Sequence, residues 1–117
     1  MARRRRANAE DRLDAVFHAL GDRTRRALLA RLAKAPARIT DLARPFSMSL
    51  PAVSRHIRVL EGAGLIARTV DGRVHQCSLD AEPLKGVETW LGHYRQFWTG
   101  TLESLASYIE KENERHS

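Results

Sequence analysis

Ser49, Ser54, Arg55 and Arg58 carry the most informative chemistry in the chain, because one helix would bring them together. Measured from Pro51 at about 100° per residue, Ser54 falls at about 300°, Arg55 at about 40° and Arg58 at about 340°. Val53, Ile57 and Leu60 fall at about 200°, 240° and 180°. One side is apolar, and the other offers hydroxyls and guanidiniums. A guanidinium fork matches the O6 and N7 acceptors of guanine as well as phosphate oxygens, and a serine hydroxyl hydrogen-bonds phosphate. Ser49, Leu50 and Pro51 would lead such a helix toward its ligand. Arg68 and Arg73 bracket Asp71-Gly72 and form a second basic pair, suited to phosphate or a minor groove. On an isolated amphipathic helix the same residues would be an ordinary solvated face, so the neighbouring elements decide.

Other reactive side chains are sparse. His75 and Cys77, two apart on a β-prone run, share a face, but two ligands do not make a metal site. His56, at about 140° on the same helix, turns toward the packed side and reads as structural. His93 reads as an interface or surface residue. Cys77 is the single cysteine, so no disulfide framework forms within the chain, and no resolving thiol accompanies it. No nucleophile–base pair, glycine-rich phosphate loop or carboxylate cluster is present, which argues against an enzyme. No cofactor and no metal are expected.

Charge points the same way as the helix. The 117 residues fit one domain, and 43% hydrophobic with 29% charged residues is a globular composition. Lys and Arg number 20 against 14 Asp and Glu, and seventeen of the basic residues are Arg. Residues 1–79 hold sixteen basic and seven acidic residues, net +9, whereas 80–117 hold four and seven, net −3. Within 23–73 the balance is eleven against three, net +8. A basic middle calls for a polyanion, and an acidic C-terminal segment for a second job. No run approaches the roughly 20 apolar residues of a membrane helix. Met1-Ala2-Arg3-Arg4-Arg5-Arg6 is followed by polar sequence rather than an apolar stretch, so no signal peptide and no membrane partner are expected, and the cytoplasm is the expected location.

The elements that position these residues follow from caps and periodicity. Residues 1–10 read as a flexible basic arm and 112–117 as a tail, flanking a domain over 11–111. A first helix opens at Asp11 with Leu13, Val16, Phe17 and Leu20 on one face. Asp22 caps a second helix over about 23–33, and Ala35-Pro36-Ala37 breaks it. Ile39 reads as briefly extended, and Thr40 caps a short third helix. Ser49 caps a fourth, from Pro51 in the first turn to about Glu61, ended by Gly62-Ala63-Gly64. Asp71-Gly72 between two β-prone runs, 65–70 and 73–79, predicts a two-residue hairpin. One long helix follows, over about 83–111. Its stripe is Leu84, Val87, Leu91, Tyr94, Trp98, Leu102, Leu105 and Ile109, widened by Trp90, Phe97 and Tyr108. At roughly 42 Å it outruns what a domain this size needs to cover its own core, and the surplus asks for a partner such as the same helix of a second chain. The predicted fold is mainly α with a small β-hairpin, a winged helix-turn-helix of five helices with a two-stranded wing.

Four segments carry a resemblance. Ala19-Leu20-Gly21-Asp22-Arg23-Thr24-Arg25-Arg26 resembles the opening of the ArsR/SmtB family of bacterial winged-helix repressors, with Arg23 where that family often has Pro. The run from Phe46 to Leu60 resembles the family's recognition segment. Glu61-Gly62-Ala63-Gly64-Leu65-Ile66 and Asp71-Gly72-Arg73 resemble its helix end and wing. The likeness spans about 11–111. It implies a homodimer closed by the first and last helices, with Leu13, Val16, Phe17, Val87, Trp90, Leu91, Tyr94, Trp98, Leu102 and Leu105 at the interface. It also implies binding to a palindromic operator in double-stranded DNA and repression from it. The family's metal patterns do not fit. The Cys-x-Cys pattern is missing, and aligning His93 with the zinc pattern of the last helix puts Leu91 where Asp belongs and Ser104 where the second His belongs. The non-metal branch is therefore expected, responding to a small molecule, to a partner protein, or to nothing beyond its own concentration. The alternatives are a metal- or redox-sensing repressor of the same family and a winged-helix protein-interaction module.

Overall fold

The computed structural model describes residues 8–116. Helix α1 (Ala9–Leu20) begins where the Asn8 side chain accepts the Asp11 N–H at 2.8 Å. The helix therefore starts two residues before Asp11 and takes in the end of the expected arm. Residues 1–7 of that arm, with Arg3 to Arg6, lie outside the described residues. Asp22 caps α2 (Arg23–Leu32), accepting the backbone N–H groups of Thr24 at 2.8 Å and Arg25 at 3.1 Å. The bond from the Arg25 N–H, with that from Thr24, holds the Asp22 carboxyl below its usual range. Arg25 and Arg26 then reach back to the carbonyls that α1 leaves open. Arg25 Nε donates to Ala19 O at 2.7 Å and Nη2 to His18 O at 2.9 Å, while Arg26 Nη1 donates to Leu20 O at 2.6 Å. Cations at a helix C-terminus also meet the favourable end of its dipole.

Strand β1 (Ala37–Arg38) precedes α3 (Ile39–Ala43). The expected Thr40 cap is not used. Arg38 holds the N-cap position without a side-chain bond, and Ile39 is already helical. Helix α4 (Leu50–Gly62) starts with the Ser49 Oγ accepting the Ala52 N–H at 3.3 Å. It ends at Gly64, whose φ of +79° lies in the left-handed region that glycine enters without a Cβ penalty. There Gly64 N donates to Glu61 O and Leu65 N to Leu60 O, both at 2.9 Å, which satisfies two open carbonyls and reverses the chain.

Strands β2 (Ile66–Asp71) and β3 (Val74–Leu79) pair antiparallel, with Asp71 opposite Val74. The two-residue loop is thus Gly72-Arg73, one residue later than the Asp71-Gly72 expected. Gly72 takes φ +64° at the first loop position, where a tight hairpin favours glycine. The sheet has three strands rather than two, in the order β1-β3-β2, with Ala37 opposite Cys77 and Arg38 opposite Gln76. Behind it lies a core in which Val16, Leu28, Leu42, Val53, Ile57, Leu60, Leu65 and Cys77 are fully buried.

The chain divides into two units, one ending at Val87 and one beginning at Glu88. The single long helix expected over 83–111 is two, α5 (Leu84–Gly92) and α6 (Arg95–His116), making six helices among the described residues. Around the break, backbone N–H groups bond three residues back rather than four: His93 to Trp90 O at 3.1 Å, Tyr94 to Leu91 O at 2.9 Å and Phe97 to Tyr94 O at 2.9 Å. Residues 112–116, expected as a tail, continue α6. In this unit the Trp90 and Tyr94 rings lie 5.0 Å apart and Tyr94 and Phe97 6.4 Å. Among the described residues no helix is long and apolar enough to cross a membrane.

Candidate nucleic-acid interface

Helix α4 has the two faces expected of it. Val53, Ile57 and Leu60 are 0% exposed, while Arg55 and Arg58 stand in solvent and Ser54 is half-buried. Arg55 and Arg58 have no hydrogen-bond or ion-pair partner among the described residues. Ser49, Leu50 and Pro51 are exposed at the N-terminal end. Ser49 spends its oxygen on the cap but keeps its O–H to donate. The helix therefore presents charge-assisted donors on a rigid rod whose opposite side is fixed by the core.

The hairpin rises beside this helix. A cleft of about 380 Å³ is lined by Leu50 and Ser54 of α4, by Arg38 and Thr40 around the start of α3, and by Arg68, Arg73 and His75 of the hairpin. No carboxylate lines it. Arg73, in the loop, is exposed and without a partner among the described residues. Arg68 differs from the expectation. Its Nε donates to Glu61 Oε2 at 3.0 Å and its Nη2 to Glu61 Oε1 at 2.5 Å, a two-pronged pair with both side chains about a quarter exposed. The hydrogen bonds to Glu61 raise the guanidinium pKa still further. Nη1 donates to His75 Nδ1 at 3.2 Å. Arg68 is thus a brace between the end of α4 and the wing, and Arg73 is the arginine of the pair left without a protein partner among the described residues. Arg38, Thr40 and His75 join this cleft without any cue in the sequence. The pairing of β1 with β3, which brings the first two to the wing, spans forty residues and leaves no local signal.

The remaining reactive groups are engaged or shielded. His56 is half-buried, with its Nδ1 3.3 Å from Arg25 Nη1, as befits a structural histidine. Cys77 is 0% exposed, and burial pushes its thiol up, away from the reactive thiolate. No group of three or more His, Cys, Asp or Glu that could hold a metal occurs among the described residues.

The residues expected at a chain–chain interface divide. Val16 is 1% exposed and packs into the chain's own core, because it lies on the inner side of α1, so it is not available to a partner. Leu13 and Val87 are half-buried and Phe17 is exposed. In the second unit Trp90, Leu91, Tyr94, Trp98 and Leu105 are all exposed, as are Phe97, Tyr108 and Ile109. The Leu102 side chain lies outside what is described.

Comparison with known proteins bears on this geometry. A family model described as a helix-turn-helix domain matches residues 20–69. The chain is 38% identical over 101 residues to the HTH-type transcriptional regulator Rv2034 of Mycobacterium tuberculosis, covering 86% of this chain and 92% of that protein. It is 32% identical over 76 residues to the transcriptional repressor SdpR of Bacillus subtilis, covering 65% of this chain and 84% of that protein. The crystal structure of an ArsR family transcriptional regulator matches with a TM-score of 0.72 at 41% identity, over 80% of this chain and 97% of that one. An ArsR-like transcriptional regulator from a Rhodococcus species matches with a TM-score of 0.66 at 25% identity, over 85% and 93% of the two chains.

Proposed function

The chain belongs to the ArsR family of helix-turn-helix transcriptional regulators, and we propose that it acts as a homodimer that binds a twofold-symmetric operator and represses transcription from it. The observation that carries this reading is the outward face of α4. Arg55 and Arg58 stand unpaired among the described residues, opposite a face buried to 0% exposure. Such a helix can enter a major groove with its register fixed by the protein core. Arg55 and Arg58 read base edges or phosphates, Ser49 and Ser54 bond phosphate, and Arg73 approaches from the wing.

One observation supports the dimer. The unit from Glu88 carries eight exposed large hydrophobic side chains, more than an isolated domain leaves in water. A twofold dimer would also present two α4 helices to half-sites about one DNA turn apart. Repression is the activity named for SdpR, and occlusion of a promoter by a dimer of this size is its simplest route. The buried thiol and the engaged His75 speak against a redox or metal switch at β3.

The test is fluorescence anisotropy with DNA from upstream of the chain's own gene against a scrambled duplex, with sedimentation for the oligomer. The reading expects preference for the upstream DNA, a dimer at micromolar concentration, and loss of that preference in Arg55→Ala and Arg58→Ala. Variants that bind like the wild type would overturn the role of α4, and a monomer would overturn the dimer.

A further inference from the structure

The cleft between α4 and the wing has a chemistry of its own. It is concave, about 380 Å³ in volume, and none of its lining residues is acidic. Its donors are of two kinds. Arg73 supplies a guanidinium with no partner among the described residues, and Arg38 adds to the positive field. Thr40, Ser54 and His75 supply neutral donors.

His75 is the decisive one, because its neighbours fix its tautomer. Arg68 can only donate, so His75 Nδ1, 3.2 Å from Arg68 Nη1, must accept, and the ring proton sits on Nε2. Glu61 holds Arg68 with two further bonds and cancels its charge. The chain Glu61–Arg68–His75 thus leaves one ring donor, Nε2–H, on a residue that lines the cleft. A small pocket of oriented N–H and O–H donors with positive charge and no carboxylate matches a tetrahedral anion.

We propose that this cleft seats one backbone phosphate of the bound DNA, with Arg73 supplying the charge and His75 Nε2–H, Thr40 and Ser54 the neutral hydrogen bonds, and with Glu61 and Arg68 acting as positioning residues for His75. The proposal rests on the DNA-binding reading above and adds the ligand group of the cleft. The phosphate carries no sequence information, so this site sets how strongly DNA binds and where the wing lies, while α4 selects the sequence.

The two kinds of donor separate in a salt titration. Losing one charged phosphate contact makes the slope of log K against log salt shallower by about 0.9 per protomer, about 8-fold in affinity at 0.1 M salt. Losing a neutral hydrogen bond weakens binding by about 3- to 10-fold and leaves the slope alone. The measurement is anisotropy at several potassium chloride concentrations with two labelled duplexes, one from upstream of the gene and one scrambled. It uses the full-length chain as wild type, Arg73→Ala, His75→Ala, His75→Gln and Arg58→Ala, with thermal melting to confirm that each variant is folded. Arg73→Ala is expected to flatten the slope equally on both duplexes. His75→Ala is expected to weaken both with the slope kept, and His75→Gln, which retains a donor, to restore most of the loss. An unchanged slope in Arg73→Ala, or wild-type binding in His75→Ala, overturns the cleft assignment even if Arg58→Ala loses the preference for upstream DNA. Loss confined to the upstream duplex also overturns it, because that would be base recognition. If Arg58→Ala binds both duplexes as the wild type does, the reading of α4 fails, whatever the cleft variants show.

Discussion

Replacing Glu61 by Gln should lower stability and steepen the salt dependence of DNA binding. The Glu61 carboxylate takes two bonds from Arg68, at 3.0 and 2.5 Å, and the two side chains are 27% and 22% exposed. At about 4 Å between charges and an effective dielectric constant of about 20, the gross attraction is about 4 kcal/mol. Desolvation and the ordering of two long side chains offset most of it. Fully exposed pairs net at most about 1 kcal/mol, and breaking a fully buried pair costs about 3–5 kcal/mol. A pair three-quarters covered falls between, at about 1–2 kcal/mol. In a chain of 117 residues that is a fall in Tm of about 4–8 °C. The same substitution unmasks Arg68 beside the cleft and adds one net positive charge per protomer. The salt slope on non-specific DNA should therefore steepen by up to about 0.9 per protomer, whereas any loosening of the neutral His75 hydrogen bond leaves the slope alone. Thermal melting of the wild type, Glu61→Gln, Arg68→Met and the double variant gives the coupling energy, and anisotropy on a scrambled duplex gives the affinity. A coupling below about 0.5 kcal/mol would show that the pair is only a surface contact. A slope unchanged in Glu61→Gln would refute the masking of Arg68 and leave the brace with a mechanical role alone.

Other expectations follow from burial and capping. Ile57→Ala removes a side chain that is 0% exposed on the inner face of α4 and should cost about 2–5 kcal/mol in chemical denaturation, with DNA affinity lost only as the chain unfolds. Cys77, 0% exposed and with its thiol pushed up by burial, should react with an aromatic disulfide reagent at least about 100-fold more slowly in the native chain than after denaturation. Cys77→Ala should keep operator binding unchanged under oxidant. Asp22 has a folded-state pKa below its unfolded value near 3.8, so its contribution is complete above about pH 5 and fades as the pH falls through the lowered value. Asp22→Ala should lower Tm at pH 7, and Asp22→Asn, which keeps the cap, should sit closer to the wild type; the gap between Asp22→Ala and the wild type should close in strong acid, as melting curves from pH 7 to pH 2 would show.

What was legible in the sequence was what neighbours in sequence decide. Asp22, Ser49 and Gly64 fix the ends of α2 and α4 through bonds to residues two to four positions away, and the apolar stripe of α4 is set by helical geometry. Where a distant partner or a finer balance decides, the reading slipped. Strand β1 is two residues long and exists because Ala37 and Arg38 meet Cys77 and Gln76 across forty residues. That pairing fixes Arg38 in an extended conformation and lets the helix begin at Ile39, so Thr40 loses its role as a cap. At the hairpin, Asp71 pairs with Val74, and the one-residue shift leaves Arg73 rather than Asp71 in the loop. The long final stripe kept its period through Gly92-His93-Tyr94, so hydrophobic spacing alone could not show the change to bonds three residues back. Arg68 looked identical to Arg73 in sequence. The difference is Glu61, seven residues upstream, which the reversal at Gly64 brings against β2.

The arginine excess itself has two causes, and the structure separates them by partner. Arg25 reaches Ala19 O, His18 O and His56 Nδ1 at once, Arg26 closes Leu20 O, Arg31 closes Ala35 O, and Arg68 ties Glu61 to His75. Arg25 and Arg68 use a planar fork with several donors at fixed angles, and a lysine ammonium on its flexible stem cannot reproduce that span. Arg38, Arg55, Arg58 and Arg73 are the reverse case: exposed, and without a protein partner among the described residues. Leaving four cations unpaired on one region costs stability through mutual repulsion, and four carboxylates placed nearby would relieve it. Instead the lining of the cleft holds none, and the Glu61 carboxylate at the end of α4 is spent on Arg68. A basic surface kept open in this way acts on a partner that brings its own negative charge, and a duplex with one phosphate charge per roughly 1.7 Å of axis is the partner that the spacing of a helix and a wing can follow.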